Sequence, residues 1–151
     1  MTVELIEISI DNWQEAIKLD VKKDQKSFVA SNVFTIAESK FYPTINLFGI
    51  MNDNKLVGLV SFATEIDFFE IKANSAFVFR FMIDQKYQRM GIGQEAMRLL
   101  IGKIKSEKKS ITSVHLSVVP ENSNAKRFYE KLGFHKTGKK VFDEEEYFYK
   151  L

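Results

Sequence analysis

Apolar and polar positions alternate over residues 3–8, the period of a half-buried strand. Asp11 or Asn12 can then cap a helix whose apolar face takes in Trp13, Ile17 and Val21. Between residues 22 and 43 the pattern predicts a second helix that ends near Phe41 and is closed by Pro43. Two apolar runs, 45–51 and 55–63, flank Asn52-Asp53-Asn54, a composition that tolerates positive φ and predicts an antiparallel hairpin. Residues 76–83 are nearly continuously apolar apart from Arg80, as in a central strand covered on both faces. From Ile92 the apolar positions Ala96, Leu99, Leu100 and Ile104 recur at helical spacing, and the helix ends in the polar cluster at 106–110. A β-branched run over 112–119 predicts a further strand. Asn122 or Ser123 then opens a helix with Ala125, Phe128, Tyr129 and Leu132 on one side, and Gly133 sits where a left-handed cap is wanted. Residues 134–142 and 146–151 close the pattern as a hairpin around Asp143-Glu144-Glu145. A meander followed by a strand-helix-strand unit predicts a mixed α/β fold: a mixed sheet with helices on both faces.

Composition narrows the class. With 151 residues and 45% hydrophobic content, the chain has enough apolar material for one domain spanning 1–151, and no Gly/Ser-rich or Pro-rich stretch suggests a linker. It has no cysteine and two histidines far apart, which removes disulfide and thiolate chemistry and leaves little to hold a metal. Lys and Arg number 22 against 20 Asp and Glu, so nothing demands nucleic acid. Residues 1–10 carry Glu4 and Glu7 rather than a basic, apolar leader, and no apolar run is long enough for a bilayer. A cytoplasmic protein without membrane partners is expected.

The sharpest local signal is Gln88-Arg89-Met90-Gly91-Ile92-Gly93, between the apolar strand and the helix from Ile92. Glycines at a helix start let unsatisfied backbone amides approach a ligand, and the helix dipole adds partial positive charge there. A diphosphate suits such a mouth. The spacing fits neither the G-x-G-x-x-G dinucleotide turn nor the P-loop. About thirty residues on stands a second constellation, Asn122-x-x-Ala125-x-x-x-Tyr129-x-x-x-Gly133-Phe134.

Together these segments, over residues 79–134, resemble the GNAT superfamily of N-acetyltransferases. The resemblance implies a mixed, mostly antiparallel sheet of about seven strands flanked by about four helices. It implies acetyl-CoA as acetyl donor, with its pyrophosphate held by main-chain amides of Arg89, Met90, Gly91, Ile92, Gly93 and Gln94. It also implies that backbone groups of Phe81, Met82 and Ile83 pair with the pantetheine arm where two strands diverge. Asn122 matches a side chain that steadies the arm, and Tyr129 matches a tyrosine near the thioester sulfur. Family members often form dimers, so the resemblance also admits a homodimer.

Amine attack on a thioester builds charge on the carbonyl oxygen and releases a thiolate, so a backbone N–H at the oxygen and an acid at the sulfur lower the barrier. Tyrosine, with an ordinary pKa near 10, is protonated at neutral pH and suits the second role. Without cysteine, direct transfer in a ternary complex is expected rather than a covalent enzyme intermediate. The attacking ammonium must also lose a proton. Several members of the family have an acid where this sequence has Phe79, which leaves the base open among Glu65, Asp67, Glu70, Glu121 and a water chain.

The run Gln25-Lys26-Ser27-Phe28-Val29-Ala30-Ser31, with Ile36-Ala37-Glu38, is similar to the helical acceptor-side segment of bacterial spermine/spermidine (diamine) N-acetyltransferases. Arg80-Phe81-Met82-Ile83-Asp84, running into Tyr87-Gln88, is similar to the same branch. A polyamine acceptor implies acids lining its cleft, with Glu38, Glu65 and Asp67 as candidates. The acids at 143–146 could attract a polyamine, but read as a solubilising hairpin tip. His115 and His135 read as structural. A different amine acceptor (a protein N-terminus or lysine, an amino sugar, an antibiotic) and a non-catalytic acyl-CoA-binding module are the alternatives.

Overall fold

The first strand, β1 (Val3–Glu7), is followed by a five-residue helix α1 (Trp13–Ile17) and then, after a 3-10 turn, by α2 (Asn32–Phe41) in the computed structural model, which describes residues 1–64 and 73–151. The first helix is shorter than expected, and a different face is buried. Ala16 and Val21 are buried, whereas Trp13 and Ile17 are exposed. Asn12 does not cap the helix: its Oδ1 accepts from the Ser9 amide (2.8 Å) and its Nδ2 donates to the Glu7 carbonyl (2.9 Å). The buried Asn32 then donates to the Ala16 carbonyl (2.9 Å) and the Leu19 carbonyl (3.2 Å), stitching the start of α2 across the end of α1. The segment expected to be helical from Gln25 is instead a 3-10 turn followed by further turns. The helix begins at Asn32, where the Ser31 hydroxyl caps it by accepting from the Phe34 amide.

The meander follows the hydrophobic pattern. Strands β2 (Ile45–Asn52) and β3 (Lys55–Ala63) pair antiparallel around Asp53 and Asn54, both at positive φ (48° and 65°) as a two-residue hairpin turn requires. Strand β4 (Ser75–Ile83) pairs antiparallel with β3. The long helix α3 (Ile92–Glu107) crosses to β5 (Ser113–Val118), and α4 (Ser123–Lys131) leads to β6 (His135–Val141) and β7 (Glu144–Lys150). The sheet order is β1-β2-β3-β4-β5-β7-β6, with β4 and β5 parallel and every other neighbouring pair antiparallel.

The closing turn sits one residue earlier than the acidic run suggested. Phe142 and Asp143 hold positive φ (54° and 61°), and Val141 pairs with Glu144. A left-handed phenylalanine is unusual; here its ring meets the Phe77 ring edge-on at 6.4 Å. Because strand side chains alternate, this register puts Glu144 and Glu146 on one sheet face and Glu145 on the other.

One core joins Ile92, Ala96, Met97, Leu100 and Ile104 of α3 to Val60, Val78, Val114 and Leu116 of the sheet, with Ala125, Tyr129 and Leu132 of α4 packed against it. The opposite face meets α1 and α2 through Ala16, Val21, Leu59 and Met82, with Val29 and Ile36 against them. No described helix is long and apolar enough to cross a membrane.

Two irregularities set the geometry of β4. Ser61 pairs with Arg80 but Phe62 pairs with Val78, so Phe79 is an unopposed bulge residue. In β3, a Cβ on Gly58 would strike the Met82 carbonyl. Gly58→Ala is therefore expected to lower stability by about 1–3 kcal/mol, read as a lower denaturant midpoint at unchanged m-value.

Candidate active site

Strands β4 and β5 touch only briefly. Their register pairs are Ser75 with Ser113, Ala76 with Val114 and Phe77 with His115, and beyond Phe77 the two strands part. The bulge at Phe79 bends β4 at this point. From there to Ile83 one edge of β4 has no strand beside it among the described residues. Backbone groups alternate sides along a strand, and the Asp84 amide pairs with the Val57 carbonyl on the β3 side (2.8 Å). Phe81 and Ile83 accordingly turn their backbone groups to the open edge, whereas Met82 turns its to β3. The Ile83 carbonyl is already used, accepting from Gln88 Nε2 at 2.9 Å.

The gap opens into a cleft of about 970 Å³. Phe81, Met82, Ile83, Arg89, Gly91, Gly93, Gln94, Asn122 and Tyr129, all singled out from the sequence, line it. Ile92 is buried beneath the mouth, and Met90 is exposed. At one end of the cleft stands the start of α3. Arg89 and Gly91 have left-handed backbones (φ 62° and 82°), an alternation that turns successive amides to one side. Gly91 is the residue before the helix and has no side-chain cap; the first helical bond runs from Glu95 to its carbonyl (3.2 Å). Among the described residues, no acceptor meets the amides of Ile92, Gly93 or Gln94. A Cβ on Gly93 would lie 3.4–3.6 Å from Phe81, Phe128 and Ile83, so the apolar floor closes directly beneath it.

Buried polar bonds hold this mouth. Asp84, itself buried, accepts from the Lys86 amide (3.0 Å) and the Asp20 amide (2.9 Å). Gln25 and Gln88 exchange side-chain amide bonds (3.1 and 2.9 Å), tying the first 3-10 turn to the loop before α3. The sequence pattern marks Gln88 and Asp84 only as parts of motifs and does not show them as the anchors of this mouth. A lone aspartate at the end of an apolar strand was the available signal.

On the other wall, Asn122 caps α4, its Oδ1 accepting from the Ala125 amide (3.2 Å), which leaves its Nδ2 for another partner. Tyr129 lies two turns along, its ring edge-on to Phe128 (5.1 Å) and Phe134 (5.6 Å). Gly133, at φ 100°, ends the helix where expected. Tyr129 lines the cleft, and its hydroxyl has no hydrogen-bond partner among the described residues. Burial pushes its pKa well above the ordinary tyrosine value.

The expected acidic residues fare differently. Glu38 lies outside the cleft lining; its Oε2 accepts from Arg80 Nη2 (3.1 Å), while Oε1 is buried without a partner. Glu121 is exposed on the turn before α4. Glu65, Asp67 and Glu70 lie outside the described residues. The acids at 143–146 do not all form a solvated tip: Glu144 lines the cleft and Glu146 is 6% exposed. His115 is buried beside them, with Ser113 Oγ 2.9 Å from its Nε2.

This arrangement is that of an acetyltransferase. The acetyltransferase (GNAT) family model matches residues 7–134, and the chain belongs to that family. The spermine/spermidine N(1)-acetyltransferase of Bacillus subtilis (strain 168) is 25% identical over 146 residues, covering 96% of this chain and 95% of that protein. Among solved structures, the Vibrio cholerae spermidine N-acetyltransferase in complex with CoA and spermine superimposes with a TM-score of 0.76 at 17% identity, covering 98% of this chain and 95% of that one. The aminoglycoside acetyltransferase AAC(6')-Ib in complex with coenzyme A gives a TM-score of 0.80 at 14% identity, covering 99% and 95%. At these identities the two superpositions establish the fold alone. The expected mixed sheet, the family and an acetyl-CoA-dependent acetyltransferase are thus borne out.

Two buried tyrosines set a pH dependence of stability. Burial raises the Tyr129 hydroxyl, and burial together with the hydrogen bond it donates to Glu130 raises Tyr147 to about 12. Both are held protonated in the folded state while an unfolded tyrosine ionises near 10, so the unfolded chain binds fewer protons above that pH. Stability is expected to be insensitive to these groups below about pH 10 and to fall above it. Urea melts across that range check this, and Tyr129→Phe should flatten the decline.

Proposed function

We propose that this chain transfers the acetyl group of acetyl-CoA to a primary amine of a small polycationic molecule, a polyamine such as spermidine or spermine. One observation carries the reading: an unpaired strand edge, a helix mouth of unsatisfied amides and a partnerless tyrosine hydroxyl all face one cleft. The polyamine preference is supported by the naming of the Bacillus subtilis relative, which matches nearly the whole chain.

The residues fit an acyl-CoA. Amides at the start of α3 suit a diphosphate, and the phenyl floor under Gly93 suits a slender ligand lying against backbone. In this reading the amides from Arg89 to Gln94 hold the pyrophosphate. The groups that Phe81 and Ile83 turn to the open edge hold the pantetheine arm as an added strand, and Asn122 Nδ2 steadies it. Met82 contributes to the lining while its backbone serves β3. When bound, the thioester supplies an activated acyl carbon and a sulfur leaving group.

Tyr129 is the proposed general acid. Its raised pKa keeps the proton in place until negative charge appears beside it.

Thiol release from acetyl-CoA is expected only when an amine is supplied, fastest with spermidine or spermine in a panel that includes lysine peptides and aminoglycosides. A different best amine would move the substrate within the same enzyme class, and no release with any amine would favour a binding module. Tyr129→Phe should lower kcat about 100-fold or more with CoA affinity unchanged by calorimetry. Gly91→Val, which forces a branched side chain into a left-handed position, should weaken CoA by about tenfold or more.

A further inference from the structure

The proposed reaction leaves the attacking ammonium without a proton acceptor, and Phe79 provides none. Ser117 of β5 and Glu144 of β7, however, line the same cleft as Tyr129. Ser117 Oγ donates to Glu144 Oε1 at 2.9 Å. No cation pairs with Glu144 among the described residues. Directly opposite Ser117 in the register, Glu146 is nine-tenths buried on the same face as Glu144, and its Oε1 has no hydrogen bond. The other Glu146 oxygen lies 3.6 Å from His115 Nδ1.

The contrast with Glu145 is informative. On the opposite face, Glu145 is met by Lys126 at 2.8 Å and Lys136 at 3.9 Å, and its pKa is lowered mainly by Lys126. Alternation along one strand has thus separated an acid with cations from Glu146, beside His115, and Glu144, which has no lysine or arginine partner among the described residues. Two carboxylates side by side, one of them buried with an unmet oxygen, repel each other unless a cation comes between them. An alkylammonium, with three N–H donors, satisfies that demand.

We infer that Ser117 and Glu144, with the buried charge of Glu146 behind them, form the ammonium subsite of the acceptor and that Glu144 is the base that deprotonates it; this rests on the acetyltransferase reading above. Glu144 takes one proton from the ammonium and passes it to water. The freed amine nitrogen forms its bond to the acetyl carbon as the carbon–sulfur bond breaks. The Tyr129 proton goes to the departing sulfur, and the nitrogen's surplus proton returns through water to Tyr129. Glu146, behind the cleft lining, adds negative charge that favours the cation, and Ser117 fixes the Glu144 carboxylate.

The experiment compares wild type, Glu144→Gln, Ser117→Ala and the control Glu145→Gln with spermidine from pH 6 to pH 10, with CoA affinity followed by calorimetry. Glu144→Gln should lose about 100-fold or more in kcat/KM at pH 7 at unchanged CoA affinity. It should recover towards wild type as the pH nears the amine's own pKa of about 10, because solution then supplies neutral amine. Ser117→Ala, which keeps the carboxylate but frees it, should lose about tenfold with the same recovery, and it carries the test if the glutamine variant does not fold. Glu145→Gln should keep the wild-type kcat. Activity of Glu144→Gln within twofold of wild type across the range overturns the assignment, as does a loss that persists undiminished at pH 10. A wild type that binds CoA and acetylates no amine defeats the acetyltransferase reading itself, a different result from either of these.

Discussion

The cleft depends on backbone that the sheet does not pair. A strand inside a sheet must place its N–H and C=O groups somewhere, because a buried unpaired amide costs as much as a lost hydrogen bond. Beyond Phe77, β4 has no β5 beside it, and the bulge at Phe79 turns it away. What the fold leaves unsatisfied along that edge and at the start of α3 is a linear array of donors and acceptors of the kind an extended ligand can complete. The irregularity in the strand and the binding capacity are one feature seen from two sides.

That array is useful only if it is rigid, and much of the molecule serves this end. Asp84 and the Gln25–Gln88 pair fix the loop leading into α3, and Gly58 lets β3 approach the Met82 carbonyl closely. Asn32 anchors α2 to the end of α1. Each is a polar or glycine position inside otherwise apolar surroundings, where substitution would disturb the position of the site before it disturbed the core.

The sheet, the crossover and both glycine-marked helix ends were legible because they follow from short-range rules: alternation, helical spacing and residues that tolerate positive φ. Gly91, Gly133 and Asp53-Asn54 adopt the left-handed conformations that their types allow. The reading failed where tertiary contacts decide. The buried face of α1 is set by where Asn32 reaches, and the last turn by Phe142, which adopts a conformation its own side chain disfavours while its ring packs on Phe77. A displacement of the expected turn by one residue was enough to hide the acids. With the turn at 143–145 they form a charged tip, whereas with the turn at 142–143 they divide between two faces. The Tyr129 side of the site could be read from spacing; the Glu144 side could not, since it depends on a register that no local pattern specifies.

The same register explains why the acid stands on β7. At the bulge, Phe79 packs against Phe77 at 5.3 Å and beside Ile45 and Ala63. On β7, by contrast, a carboxylate has the Ser117 hydroxyl at hydrogen-bond distance and the open cleft on its other side. The splay that exposes the β4 edge also leaves room for a side chain from across the gap. Separating the strands thus does two jobs: it presents backbone for a ligand on one strand, and it admits an acidic side chain from the far side.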